Sequence, residues 1–222
     1  MFEKRVAIFT GHFGSGKTEI AVNYAVQLAE AGKIVAIADM DIVNPFFRTA
    51  DAKRLLENMG IKVIAPLYAN TNVDVPSLPA EINTLFEDKR FYVVLDVGGD
   101  DLGARVLSRY AGLIAREDYT HYLVINTRRP MTRTPNEIEK MIMEIEASSG
   151  LKVDMLVNNA NLLGSSTPEL IEEASGIIGT VSRKLSIPVG LISGMKEVLR
   201  QYKGDPGVER LYLRKFIKLP WE

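Results

Sequence analysis

The segment from Thr10 to Thr18 reads TGHFGSGKT, and its Gly11, Gly16, Lys17 and Thr18 satisfy the spacing G-x-x-x-x-G-K-[ST]. That spacing suits phosphate chemistry. Glycines let the backbone curl so that successive N–H groups face inward on phosphate oxygens, helped by the positive end of the helix that follows. The expected phosphate lining is Gly11, Gly14, Ser15, Gly16, Lys17, Thr18 and Glu19. Lys17 is assigned to the β- and γ-phosphates, and the Thr18 hydroxyl to Mg²⁺. The alternative is a glycine-rich strand-to-helix turn that binds nothing.

Two acidic clusters accompany the loop. In AIADMDIVNPFFR, Asp39 and Asp41 close an apolar run, so at least one carboxylate should face the phosphate and metal region. Taken alone, both could equally be turn residues. In FYVVLDVGGDD, Asp96 ends a buried run and Gly99 follows three residues later. A carboxylate there can grip Mg²⁺ through water, and Gly99 can offer its N–H to a γ-phosphate and register its loss. The expected metal set is therefore Thr18, Asp39, Asp41 and Asp96.

The elements that must position these residues can be read from short, nearly continuous apolar runs: RVAIFT, IVAIAD, IKVIAP, FYVVLDV, YLVIN, DMLVNN and IPVGLIS. Runs rich in Val and Ile, without polar alternation, suit strands buried on both faces of a parallel sheet. Segments of helical period lie between most of them. Ile20, Ala21, Tyr24, Ala25, Leu28 and Ala29 form one stripe, and Gly32 supplies the stop. TPNE predicts a helix capped by Thr134, with Pro135 in the first turn and Glu137 completing a capping box, ending near Ser149. TPEL from Thr167 starts another. The predicted fold class is α/β, a doubly wound, mostly parallel sheet with helices on both faces, whose ligands bind at the carboxyl ends of the strands. PLYANTNVDVPSLPAE reads as a long surface loop, a mobile or substrate-facing insertion.

At 222 residues the expected organisation is a single domain over 1–222. A composition of 46% apolar and 25% charged residues with net charge -1 lacks the basic excess of a general nucleic-acid binder, so no nucleic-acid partner is expected. The absence of cysteine excludes disulfides, thiolate metal sites, iron–sulfur clusters and cysteine nucleophiles contributed by this chain. MFEKRVAIFT runs into an apolar strand without a leader pattern, and the expected location is cytoplasmic.

In the order GHFGSGKT, DMDIVNPFFR, LDVGGDD, INTRRPMTRT and LVNNANL, the chain resembles the MinD/ParA group of the SIMIBI class of P-loop nucleotide-binding proteins. The resemblance implies ATP and Mg²⁺ binding, slow hydrolysis, and nucleotide-dependent dimerisation in many members. It implies catalytic roles for Lys17 and for Asp41, which would position the attacking water, with Asp39 supporting the metal shell and Asp96 as the second metal-binding motif. Many such relatives carry K-G-G where this chain has His12-Phe13-Gly14, and the first lysine reaches across their dimer. A histidine is shorter and near neutral at pH 7, so the dimer mechanism is not carried over with the loop. His12 is read as packed at the loop edge, with a phosphate or partner contact as the alternative, and Phe13 as wedged against the sheet.

Further residues follow from the same matching. A guanine site needs a carboxylate where this chain has Asn161, so adenine is expected, with Asn158 or Asn159 as base contact by resemblance or both as turn formers. Arg128 and Arg129 could meet the nucleotide, an anionic substrate, a partner or only solvent. His121 is read as structural. GVERLYLRKFIKLPWE predicts an amphipathic last helix, packed on the sheet or lying on an anionic membrane. The leading expectation is an ATPase whose nucleotide state alters its grip on a protein partner. The alternatives are a small-molecule kinase or ATP-dependent ligase of dethiobiotin-synthetase type, with substrate near Asn44, Arg48 and Arg128, and a non-hydrolysing ATP-binding module.

Overall fold

The computed structural model describes residues 4–41, 49–66, 79–99 and 101–217. Asn44, Arg48, Asp100 and residues 67–78 of the expected surface loop lie outside the described residues.

The strands are β1 (Val6–Thr10), β2 (Val35–Asp39), β3 (Lys62–Ile64), β4 (Tyr92–Asp96), β5 (Tyr119–Ile125), β6 (Met155–Asn158), β7 (Val189–Met195) and β8 (Glu209–Leu213). The helices are α1 (Lys17–Glu30), α2 (Lys53–Asn58), α3 (Glu81–Glu87), α4 (Asp101–Ser108), α5 (Ala111–Ile114), α6 (Pro135–Ser149), α7 (Pro168–Leu185) and α8 (Lys196–Gln201). The strands form one sheet in the order β3-β2-β4-β1-β5-β6-β7-β8. Every neighbouring pair is parallel.

Period-2 geometry sends alternate residues of each strand to opposite faces, and here both faces are apolar because both are covered. Ala7, Phe9, Ile37 and Val94 pack with the α1 residues Ile20, Tyr24 and Leu28. Val6, Ile8, Ala38 and Leu95 pack with Ile82, Leu85 and Phe86 of α3 and Leu107 of α4. Leu123, Ile125 and Leu156 meet Ile138 and Ile142 of α6 and Ile178 of α7. Phe9 stacks on Tyr122 at 5.0 Å between ring centroids and meets Tyr24 edge-on at 5.2 Å, which fixes α1 against the middle of the sheet.

The helix starts follow their sequence signals. Thr134 accepts from the Glu137 N–H while Glu137 accepts from the Thr134 N–H, a closed capping box. Thr167 caps α7 alone, accepting from the Leu170 N–H. Gly150 ends α6 with a left-handed φ of 72°, where a side chain would be strained.

The expected last helix is instead a strand. Leu211 and Leu213 are buried while Tyr212 and Glu209 are exposed, so the apolar residues alternate with period 2 along β8, which pairs with β7. A helical stripe through Val208, Leu211, Tyr212 and Phe216 would mix the two faces, and among the described residues of this segment no amphipathic helix forms. Lys218 and Leu219 lie outside the described residues. Among the described residues, no helix is long and apolar enough to cross a membrane.

His121 is fully buried in β5. Its Nδ1 lies 3.0 Å from the Lys152 carbonyl, which can only accept, so Nδ1 carries the proton and Nε2 accepts from the Thr10 hydroxyl at 2.9 Å. Burial lowers its pKa from 6.5 to about 4. The unfolded chain therefore binds the proton first as pH falls, so the stability held above pH 6.5 is lost progressively toward pH 4, by ~3 kcal/mol in all. His121→Gln removes that titration. Denaturant melts at pH 7 and 4.5 should show a smaller acid loss in the variant, and an identical loss would refute the assignment.

Candidate phosphate and metal site

The site lies where three neighbouring strands end. The chain leaves β1 toward β2 on one side and passes from β4 to β5 across it on the other, so the carboxyl ends of β2, β4 and β1 flank a reversal of strand order. That is where open α/β sheets hold ligands.

Asp39 and Asp96 are register partners on β2 and β4, and Asp96 is in turn the partner of Phe9 on β1. In-register residues of parallel strands share a face. Ile37 and Val94, two residues earlier, belong to the cluster around α1, so both carboxylates emerge on the side carrying Lys17 and Thr18. Both are essentially buried. The Asp41 N–H donates to Asp39 Oδ1 at 3.0 Å, and the Met40 N–H donates to the Asp96 carbonyl at 2.8 Å, which turns the chain back over the site. Lys17 Nζ lies 3.9 Å from Asp41 Oδ2, with both side chains largely buried.

The loop is held by close backbone packing. A Cβ on Gly99 would stand 2.5 Å from the Gly11 carbonyl and 2.7 Å from the Phe13 nitrogen, and one on Gly98 3.2 Å from Asp41 Oδ1. Only glycine lets the segment after β4 lie this close to the phosphate loop. Gly11 has φ 148° and Gly16 φ 86°, and a Cβ at either would strike the Val124 carbonyl or the Asn159 amide. Gly14, φ 76°, packs beneath the Arg129 guanidinium.

Asp96 accepts from the Thr49 hydroxyl through Oδ2 at 2.9 Å, while its buried Oδ1 has no hydrogen-bond partner. Burial pushes its pKa up to about 6, with Lys17, Thr49 and Thr18 pulling it back and Asp41 adding to the rise. A desolvated carboxylate oxygen with a neighbouring carboxylate and a hydroxyl is a hard-oxygen donor set that fits Mg²⁺. Among the described residues, no group of three or more His, Cys, Asp or Glu could hold a metal ion. Phosphate and water would complete the shell, which is how Mg²⁺ is usually bound. The Ser15 hydroxyl is also buried without a partner.

Several expected residues do other work. Both amide hydrogens of Asn158 go to protein, to the Ile171 carbonyl at 3.2 Å and the Ser175 hydroxyl at 3.0 Å, and its oxygen accepts from the Ala160 N–H. Asn159 donates to the Ser15 carbonyl at 2.6 Å and accepts from the Ser193 hydroxyl at 2.9 Å. Both are buried. In this structure Asn158 ties β6 to α7, and Asn159 clamps the phosphate loop to β7. Glu19 lies in the first turn of α1, but its carboxylate accepts from the N–H groups of Phe216 and Ile217 at 2.6 and 3.2 Å. It holds the segment after β8, beside Asn23, which exchanges hydrogen bonds with the backbone of Arg214. Burial raises its pKa above the usual carboxylate value, opposed by those backbone donors.

His12 Nδ1 donates to the Phe13 carbonyl at 3.1 Å at the loop edge. Phe13 is 55% exposed, so it does not wedge against the sheet. Thr49 was not found from the sequence because no spacing rule ties a hydroxyl to an aspartate 47 residues away. Gly98 left a signal in the paired glycines after Asp96, read only at Gly99.

A pair of substitutions separates the two asparagines. Asn159→Ala frees the Ser15 carbonyl at the phosphate loop and should weaken nucleotide binding roughly tenfold with the fold intact, about the value of one buried hydrogen bond. Asn158→Ala should cost roughly 1–3 kcal/mol of stability and leave affinity nearly unchanged. Chemical melts and calorimetry on both variants measure this, and a reversed pattern would exchange the two roles.

No protein-family model matches the sequence, and no curated protein does. Solved structures do match. The cell division protein FtsY from Thermotoga maritima is 22% identical, with 85% of this chain covering 60% of that one at a TM-score of 0.57. FtsY from Mycoplasma mycoides is 17% identical, over 86% and 60% of the two chains, TM-score 0.55. The signal recognition particle receptor FtsY from Elizabethkingia anophelis, in complex with GDP, is 16% identical over 87% and 58%, TM-score 0.55. The chain thus spans about 60% of the length of these structures. The chain has the α/β fold of these FtsY structures, a parallel sheet covered by helices, as the sequence led one to expect.

Proposed function

We propose that the chain binds a Mg²⁺-complexed nucleoside triphosphate, ATP in preference to GTP, and hydrolyses it slowly as a switch acting on a protein partner. The observation that carries this is the convergence of Lys17, Asp41, Asp39 and Asp96 on one side of three adjacent strand ends, against a glycine-packed loop. In this reading the loop amides and Lys17 take the β- and γ-phosphates. Thr18, Asp39 and Asp96 hold Mg²⁺ directly or through water, and the ion supplies charge neutralisation at the phosphates. Asp41, already tied by its N–H to Asp39, orients the attacking water. Gly99, against the Gly11 carbonyl and the Phe13 nitrogen, is placed to register the γ-phosphate and pass its loss to the segment leading into α4.

The preference for adenine rests on Asn161, whose side-chain oxygen accepts from the Ser166 hydroxyl at 3.2 Å and offers no carboxylate to a guanine ring. GTP has its own support, since one structural neighbour was solved with GDP. Calorimetry with ATP and GTP in Mg²⁺, followed by phosphate-release assays without added metabolite, tests the proposal. ATP should bind tighter by roughly tenfold or more, the margin of one or two hydrogen bonds. Tighter GTP binding would overturn the base assignment alone, and failure to bind either would overturn the whole reading. Turnover that appears only with a metabolite pool would transfer the site to small-molecule phosphorylation or ligation.

A further inference from the structure

Beside the phosphate loop, Arg128 and Arg129 are consecutive residues that face different surroundings. Arg129 lies over Gly14, whereas Arg128 lines a cavity of about 310 Å³ together with Thr127, Arg133, Glu173 and Ile177. The wall comes from three elements: the segment after β5, the residue before the α6 cap, and Glu173 and Ile177, one turn apart on α7. The volume falls at the lower end of small-molecule sites.

The chemistry of this wall is lopsided. Arg128 pairs with Glu173 through Nη2, yet its Nε is buried with no acceptor. Arg133 uses its backbone N–H on Glu137, and its guanidinium has no ion pair among the described residues. The cavity is lined by two arginines and one glutamate, with Thr127 and the apolar Ile177 beside them, and Glu137 is the further carboxylate that Arg133 feels. The planar forks of arginine match the paired oxygens of carboxylate or phosphoryl groups.

We propose that this cavity is a second ligand site, for a small organic anion whose carboxylate or phosphoryl group is taken by Arg133 and Arg128. Ile177 packs the carbon skeleton and Thr127 offers one further hydrogen bond. The site does not depend on the nucleotide reading, because none of its lining residues belongs to the phosphate loop.

Methyl NMR on the full chain tests it, titrating succinate and inorganic phosphate separately while observing Ile177 and Thr127. At least one probe should give a saturable shift at both methyls. Arg133→Gln should weaken that binding roughly tenfold or more, the worth of one charged hydrogen bond, and Lys17→Ala should leave it unchanged. Saturation by succinate alone names a carboxylate ligand, and by phosphate alone a phosphoryl one. Two outcomes overturn the proposal: no saturable shift with either probe, or a shift lost in Lys17→Ala and retained in Arg133→Gln, which would place the anion on the phosphate loop. Thermal melts of Arg133→Gln confirm that the comparison is between folded proteins.

Discussion

Replacing Lys17 with alanine is expected to weaken binding of the Mg²⁺-triphosphate complex by roughly 100-fold or more, the largest loss of affinity for any single side chain in this protein. Lys17 lies 3.9 Å from Asp41 and is a source of attraction on Asp96. Its side chain is only 6% exposed, so its charge acts through little water. Truncating one partner of a desolvated charge contact costs about 2–5 kcal/mol, which brackets that factor. The same change removes a positive charge that attracts Asp41 and Asp96, so ligand-free stability should also fall, by an amount a denaturant melt can read. Calorimetry giving an affinity within threefold of the parent, on a variant shown to be folded, would remove Lys17 from the phosphate role.

Asp96→Asn is expected to move stability and activity in opposite directions. Burial raises the Asp96 pKa to about 6, above its unfolded value of 3.8, so the carboxylate is held in the folded protein against its own hydration. The sign follows from proton counting. Between those values the folded state binds the extra proton, and stability falls as pH rises through the window, the full cost being felt above about pH 6. An asparagine keeps an acceptor for Thr49 and carries no charge to desolvate. The ligand-free variant should therefore be as stable as the parent near pH 4 and more stable at pH 7, by on the order of 1–3 kcal/mol. The unpartnered Oδ1 offered to Mg²⁺ becomes part of a neutral amide, and Mg²⁺-dependent phosphate release should drop by roughly 100-fold or more, the scale of removing one preorganised electrostatic contact. Urea melts without nucleotide and phosphate-release assays measure the two arms. A variant that is destabilised at pH 7 yet fully active would show that Asp96 is a structural residue.

The interplay of the two variants has a physical root in how the acidic cluster is built. Asp39 and Asp96 stand side by side because parallel strands in register place equivalent residues on one face. Burial and the Asp41 charge both oppose ionisation of Asp96, and in the ligand-free site Lys17 and the Thr49 hydroxyl are among the groups that offset them. A site that carries this cost before ligand arrives gains more when a divalent cation comes in.

Much of this molecule was legible locally. Seven apolar runs marked β1 through β7 because a strand covered on both faces needs no polar alternation. Thr134, Pro135 and Glu137 specified the start of α6 through contacts within one turn. Gly11, Gly16, Lys17 and Thr18 announced phosphate chemistry because curling a loop over an anion restricts which residues fit. Strand-end aspartates showed themselves as charges closing apolar runs. All these signals operate over a few residues, where backbone sterics and burial act directly on residue type.

What the tertiary structure decided was the destination of side chains whose partners lie far along the chain. Asn159 meets Ser15 across 144 residues, and Glu19 meets Ile217 across 198. An amide or carboxylate can satisfy itself on a ligand or on the protein's own backbone, and residue type does not distinguish the two. The C-terminal segment joined the sheet as β8 because the edge of β7 was there to pair with, a fact of assembly rather than of its own ambiguous period. The residue types and their spacing specified which chemistry was possible. The packing of strands and loops then selected, by competition for buried hydrogen bonds, which groups remained free to perform it.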